Sequence, residues 1–334
     1  MSVVDLLTCA VDTKAGQSGF GFSYVIGGGA EASLVAGRRL TDALFLEHPV
    51  SHPEVAWARA QKLCNRTGKG PNYVGYAAAD MALWDLHART NNVSLGEAMG
   101  GARRAVPVYG SGGYRSGMSA DAVAEQVTSH LNQGFQAIKL RLAGDARDET
   151  ALKAAASIAD GSHHIMADLN EKGTLTTARR TLDRVAAHGG IFVEEPLPAH
   201  DYSGYRQLSL SHSGQVATGE HLQGLSEALP FMTEGLCAVI QPDLAMIGGL
   251  TEALRVARIA EATGTEVMPH FLPGLFVHLA AAVPSLTWLE DFPLLEPLFT
   301  GWPEISPDGT MAPRDVAGHG LTLTEEACAR YRLS

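Results

Sequence analysis

From about Val106 onward, short runs of apolar and β-branched residues alternate with longer stretches whose apolar positions recur at i, i+3, i+4 and i+7. The short runs are VPVYGS (106–111), AIKLR (137–141), HIMADLN (164–170), IFVEEPL (191–197), QVATGEH (215–221), AVIQPDL (238–244), EVMPHF (266–271) and TWLEDF (287–292). Unbroken apolar runs predict strands buried on both faces. The stretches between them, such as SADAVAEQVTSHLNQG and GLTEALRVARIAEATG, predict amphipathic helices. Gly134, Gly189, Gly190 and Gly264 follow such stretches, where helix C-caps are expected. Eight strands alternating with helices predict an α/β fold, a (β/α)8 TIM-type barrel. The eighth helix is the weak point, because FPLLEPLFTGWPEISPDG is proline-rich and reads as loop.

Residues 1–104 follow a different pattern, with two strand-like runs and helical segments that include YAAADMALWDLHART. Leu83 and Trp84 on that segment read as core. The predicted division is an N-terminal α+β domain over 1–104, the barrel over 105–300, and a C-terminal segment over 301–334. That last segment has no core of its own and is expected to return to the N-terminal part.

Composition narrows the partners. Of 334 residues, 46% are hydrophobic and 18% charged, ordinary for a globular protein with a large core. The formal net charge of −11 argues against nucleic acid and against an anionic membrane surface. Cys9, Cys64, Cys237 and Cys328 are scattered without a CxxC pair, which fits free thiols in a reducing cytoplasm. The N-terminus lacks a basic stretch leading into an apolar run, so no signal peptide is expected. No window approaches the roughly 18 apolar residues of a membrane span.

Catalytic groups of such a barrel project from the C-terminal ends of its strands. Those ends carry Ser111, Lys139 and Arg141, Asp168 and Asn170, Glu194 and Glu195, Glu220 and His221, Asp243, His270, and Glu290. Asp168, Glu194 and Glu220 fall on three consecutive strands. Converging carboxylates repel one another unless a cation neutralises them, and an all-oxygen set suits one Mg²⁺. The alternative is three separate salt-bridged or solvated carboxylates. Lys139 and Arg141, at i and i+2 of one strand, share a face. Beside a metal they would stabilise a developing enediolate; pointing outward, they would leave Ile138 and Leu140 facing the interior. Asp243 on the strand before His270 can fix the imidazole tautomer and raise its basicity. Glu290 could, if protonated, donate to a substrate oxygen; otherwise it is a surface carboxylate. Asn170, His221 and Ser111 are candidates to bind the substrate.

At these residues the chain resembles the enolase superfamily and, within it, the mandelate racemase subgroup. The segments IKLR, MADLN, VEEPL, TGEHL, QPDLAMIGG, MPHF and WLE match the subgroup's strand-end motifs in order, and AADMALWDL is similar to the helix of its capping domain. The likeness runs from about Val3 to Leu333. It implies Mg²⁺ held by Asp168, Glu194 and Glu220, a His270–Asp243 dyad, Glu290 as an electrophilic glutamate, and a homo-oligomer. It also implies a capping domain that lacks here its usual first strand and loop. One departure bears on the reaction. The subgroup's second strand commonly carries Lys-x-Lys with the second lysine as a base, and that position is Arg141. Arginine stays protonated and is a poor base.

The expected activity is therefore Mg²⁺-dependent removal of the proton α to a carboxylate on a small acid. One base favours β-elimination of water from a sugar acid or related hydroxy acid. Racemisation, epimerisation or lactone cycloisomerisation is the second expectation, and a degenerate ligand-binding homologue the third.

Overall fold

Residues Val4–Asp12 (β1) and Ser18–Ile26 (β2) form an antiparallel hairpin in the computed structural model, which describes residues 3–46, 49 and 52–332. The first and last segments predicted from sequence include residues 1, 2, 333 and 334, which lie outside the described residues. Helices α1 (Glu31–Phe45), α2 (Pro53–Cys64) and α3 (Pro71–Thr90) follow, with a single turn, α4 (Leu95–Ala98), leading out. The α3 helix is apolar nearly all round, as a helix enclosed on every side must be. The hairpin lies directly on it. A Cβ at Gly21 would come within 2.2 Å of the Ala78 carbonyl oxygen, so glycine is what allows β2 to approach so closely.

The eight expected strands all form: β3 (Val106–Gly110), β4 (Ala137–Arg141), β5 (His164–Asp168), β6 (Gly190–Glu194), β7 (Val216–Thr218), β8 (Val239–Ile240), β9 (Glu266–Val267) and β10 (Leu289–Asp291). They run parallel in the order β10-β3-β4-β5-β6-β7-β8-β9. A parallel bridge between Val267 and Leu286 closes the ring. The connecting helices are α5 (Ala120–Asn132), α6 (Asp148–Ala159), α7 (Leu175–Ala187), α8 (Tyr202–His212), α9 (Leu225–Thr233), the short α10 (Leu244–Ile247) with α11 (Leu250–Thr263), and α12 (Pro273–Ala282). After β10 the proline-rich stretch makes one 3₁₀ turn, Glu296–Leu298, so no eighth barrel helix forms there. Inside the ring, Tyr109, Ala137, Met166, Phe192, Ala217, Val239 and Met268 fill a packed layer, which leaves the chemistry to the rim above it.

The tail turns back. Short strands β11 (Phe299–Thr300) and β13 (Thr322–Leu323) pair, β12 (Thr310–Met311) adds to β3, and α13 (Glu325–Tyr331) ends the described chain. Phe299 packs on Phe22 of the hairpin with ring centroids 4.6 Å apart, and the His319 backbone N–H donates to Asp85 of α3 at 3.0 Å. Helix α3 is also stitched to α11. Asp80 accepts from the Thr251 hydroxyl at 2.6 Å and its backbone N–H at 2.8 Å, and Trp84 Nε1 donates to the same hydroxyl at 2.9 Å. These contacts seat the hairpin against the barrel mouth.

Candidate active site

The rim collects most of the polar residues that the strand-end pattern singles out. Register explains the convergence. Arg141 pairs with Asp168 and Asp168 with Glu194 across β4, β5 and β6, so the three residues lie at one level. Both cations of β4 point inward. Lys139 Nζ, 2% exposed, sits 2.6 Å from Glu194 Oε2 and 2.6 Å from Glu290 Oε1. Arg141 Nη1 meets Asp168 Oδ2 at 2.7 Å, a close ion pair whose angle is too poor for a hydrogen bond to that oxygen. The outward arrangement of this pair, with Ile138 and Leu140 inside, is thereby excluded.

The other rim residues form a chain of contacts. Asn170 Nδ2 donates to Glu220 Oε1 at 2.8 Å, and His270 Nε2 lies 2.8 Å from Glu220 Oε2. The other nitrogen of His270, Nδ1, is 2.8 Å from Asp243 Oδ2. Asp243 caps α10, its Oδ1 accepting from the N–H groups of Ala245 and Met246, each at 2.9 Å. Glu290 Oε2 accepts from the Phe271 N–H at 3.0 Å, and Ser111 helps hold that carboxyl below its ordinary range. His221 turns to Glu195 instead, with Nδ1 2.9 and 2.8 Å from its two oxygens.

Five carboxylates, Asp168, Glu194, Glu220, Asp243 and Glu290, thus surround Lys139, Arg141 and one imidazole. The electrostatics record a shortage of positive charge. Burial pushes Glu194 up to about 8, against the pull of Lys139, with Asp168, Glu220 and Glu290 adding to the rise. Asp168 rises for the same first reason, with Lys139 and Arg141 opposing. Burial would lower His270, but the Glu220 charge and the hydrogen bonds to Asp243 and Glu220 outweigh it and hold the imidazole well above its ordinary range. Lys139 is likewise held high by Glu194 and Glu290 despite its burial. Burial favours protonated Glu290, but Lys139 and then His270 hold it below the ordinary glutamate value. In this arrangement Glu290 accepts, from the Phe271 N–H, and it would have to take up a proton to donate to a substrate oxygen.

A divalent cation fits this donor set. Glu194 Oε1 is buried with no hydrogen-bond partner, and oxygens alone suit Mg²⁺. Asp168, Glu194 and Glu220 each have an oxygen close to a different nitrogen, of Arg141, Lys139 and His270 respectively. Among the described residues, the group of three whose donor atoms already lie within 4.8 Å of one another is Glu171, Glu195 and His221. That group supplies its own cation. His221 is pushed up to about 9, first by its hydrogen bond to Glu195, against the effect of burial. A protonated imidazole is no metal ligand.

Family models place the chain. One described as mandelate racemase / muconate lactonizing enzyme, N-terminal domain, matches residues 1–100, and one described as enolase C-terminal domain-like matches residues 122–327. The chain belongs to the mandelate racemase/muconate lactonizing enzyme family. Within that family it is 30% identical over 336 residues to L-talarate/galactarate dehydratase of Salmonella typhimurium, covering 98% of this chain and 82% of that protein. It is 28% identical over 330 residues to 3,6-anhydro-alpha-L-galactonate cycloisomerase of Streptomyces coelicolor, covering 98% and 91%. Its fold matches L-talarate dehydratase from Polaromonas sp. JS666, solved with Mg and L-glucarate, at a TM-score of 0.91 and 31% identity, covering 98% of this chain and 92% of that one.

Two residues in contact with this cluster escape a reading by strand ends. Gln241, two residues before Asp243, donates to Glu194 Oε2 at 2.7 Å. Its position in the run IQPDL was a usable signal, since i and i+2 share a face. Tyr24, on β2, donates its hydroxyl to Asp243 Oδ2. No local pattern announces a contact between residues so far apart in sequence.

Proposed function

We infer that this chain is a Mg²⁺-dependent hydro-lyase that removes the proton α to the carboxylate of a sugar acid and expels the β-hydroxyl as water. The observation that carries the reading is Arg141 facing the metal-ligand candidates from β4, where a second base would stand, with the His270–Asp243 pair at β9 and β8. Asp168, Glu194 and Glu220 are the residues that would hold the ion. Mg²⁺ supplies positive charge that stabilises a substrate carboxylate as it becomes an enediolate. In its neutral form, which a cation on Glu220 would favour by offsetting the charge that holds the imidazole protonated, His270 takes the α-proton on Nε2, and the C–H electron pair moves into the enediolate. Asp243 holds the opposite nitrogen. Lys139 and Arg141 are fixed cations that offset the added negative charge. The enediolate then collapses, the bond from the β-carbon to oxygen breaks, and His270 returns its proton to the departing hydroxide. The enol left behind tautomerises to a 2-keto acid. In this reading Asn170, His221 and Ser111 would contact the hydroxyls of the substrate.

The likeness to both a sugar-acid dehydratase and a cycloisomerase supports a small carboxylate substrate. It also supports a second reading, isomerisation without loss of water. Screening aldonic and aldaric acids with Mg²⁺ in D₂O tests both. A 2-keto acid that carries deuterium at the former β-carbon, delivered as the enol tautomerises, is the expected result. Exchange without 2-keto acid would favour the isomerase. Mg²⁺ binding with neither exchange nor product on any acid would leave a ligand-binding homologue.

Residues 1–104 are read as the capping domain, 105–300 as the catalytic barrel and 301–334 as the returning segment. A homo-oligomer is part of the same reading, and sedimentation showing only monomer at micromolar concentration would refute it. Cytoplasmic residence is supported by four unpaired cysteines, and among the described residues no helix is long and apolar enough to cross a membrane.

A further inference from the structure

The His270–Asp243 pair is completed by a group that no barrel strand supplies. Asp243 Oδ1 is held by two N–H groups of its own turn, whereas Oδ2 serves both His270 Nδ1 and the Tyr24 hydroxyl. Tyr24 lies 219 residues earlier in the chain and is 4% exposed. It reaches the site because Gly19 and Gly21 let β2 lie on the backbone of α3. Its ring also meets Phe271 edge-on, with centroids 5.0 Å apart. Phe271 follows His270 directly and is held at φ +40°, a conformation that needs support from its surroundings. Tyr24 therefore touches the carboxylate that orients the imidazole and also the residue next to it in the chain.

Resting on the reading of His270 as the base, we propose that Tyr24 is a positioning residue whose hydroxyl fixes the Asp243 carboxylate, so that the base is assembled only when the N-terminal hairpin is seated on the barrel. Without that hydroxyl, Oδ2 keeps as its partner only the imidazole that it must itself orient, and the two N–H groups on Oδ1 are the remaining independent restraint. Outer partners that orient metal-ligating histidines are worth about 10- to 100-fold in affinity or activity, and that scale is taken for this imidazole by analogy. The phenol is well suited to donate. Burial, and after it the charge and hydrogen bond of Asp243, push it well above the ordinary tyrosine range.

Two variants separate the hydroxyl from the ring. Tyr24→Phe keeps the packing on Phe271 and removes the donor; Tyr24→Leu removes both. With Mg²⁺ and a sugar acid that the parent turns over, Tyr24→Phe should lower kcat and α-proton exchange about 10- to 100-fold, while KM stays near that of the parent. Parental kcat in Tyr24→Phe, or a raised KM with kcat unchanged, would overturn the proposal, the second result pointing to substrate contact. A further readout needs no substrate. The Nδ1–H proton resonance of His270, assigned by its loss in His270→Asn, should shift or broaden in Tyr24→Phe. An identical resonance in parent and variant would also overturn the proposal. If the parent acts on no sugar acid, the dehydration reading fails by itself and the resonance still decides the role of Tyr24.

Discussion

Lys139 Nζ lies 2.6 Å from Glu194 Oε2 with both side chains almost wholly buried. The same ammonium holds Glu290 at 2.6 Å, so one cation neutralises two carboxylates from opposite sides of the ring. Removing one partner of a buried pair leaves an uncompensated charge. Lys139→Met, close in volume, should therefore destabilise the protein by about 3–5 kcal/mol in denaturant unfolding. A loss below about 1 kcal/mol, the scale of an exposed pair, would mean that these carboxylates do not depend on Lys139.

Glu220 is the third proposed metal ligand and is the one that contacts His270. Glu220→Gln keeps the shape and the hydrogen bond to Asn170 but removes a charge. Thermal unfolding should lose its Mg²⁺ dependence, and turnover should vanish. A variant that is stabilised by Mg²⁺ as the parent is and turns over normally removes Glu220 from the site.

His270→Asn tests the base. The variant should stop α-proton exchange with D₂O while circular dichroism and the melting profile remain close to those of the parent. Undiminished exchange would assign the proton transfer to another group.

Much of this site was legible because it lies on strand ends. A parallel barrel repeats a βα unit, and each repeat returns one or two residues to the same rim, so spacing alone gathers Lys139, Asp168, Glu194, Glu220, Asp243, His270 and Glu290. What spacing does not give is pairing. His221 follows a proposed ligand in sequence yet turns to Glu195, whose backbone has φ +40°. Five of the seven non-glycine residues with positive φ among the described residues, Asn170, Glu171, Glu195, Phe271 and Leu272, sit on this rim, where local propensity is overridden. Tyr24 was illegible for a different reason. Its role depends on how a separate hairpin docks, and only the glycines at 19 and 21 hint at that close approach.

The seam between α3 and α11 should make stability depend on pH. Burial raises Asp80 from 3.8 to about 7, with the Thr251 hydrogen bonds opposing. A carboxyl whose folded pKa is raised contributes stability that is fully present below its unfolded value, is lost as pH rises toward the folded value, and is level above it. The parent should therefore lose stability relative to Asp80→Asn between about pH 4 and pH 7, by at most on the order of 4 kcal/mol. Denaturant midpoints of the two proteins across that range check the sign. A difference that is flat with pH would show that Asp80 titrates as an ordinary carboxylate.

Arg141→Lys is the change that speaks most directly to the reaction. The guanidinium lies 2.7 Å from Asp168 and its side chain is 29% exposed, so it borders both the metal-ligand candidates and the open mouth. Its charge is secure. Burial works against it, but Asp168, and after it Glu194, Glu220 and Glu290, raise it further above an already high value. A group that never gives up its proton cannot take one from substrate, whereas it can grip a carboxylate with two parallel hydrogen bonds. Lysine keeps the charge, loses the fork and adds a group able to deprotonate. If Arg141 anchors the substrate and holds the enediolate charge, the variant should lose dehydration by about 2.7–4 kcal/mol of transition-state stabilisation, or roughly 100- to 1,000-fold in kcat. It should also gain slow α-proton exchange or epimerisation from the face opposite His270, visible by NMR in D₂O as deuterium in recovered acid of either configuration. Dehydration at the parental rate in Arg141→Lys would mean that either cation serves at this position, and the argument from arginine to a one-base elimination would fall with it.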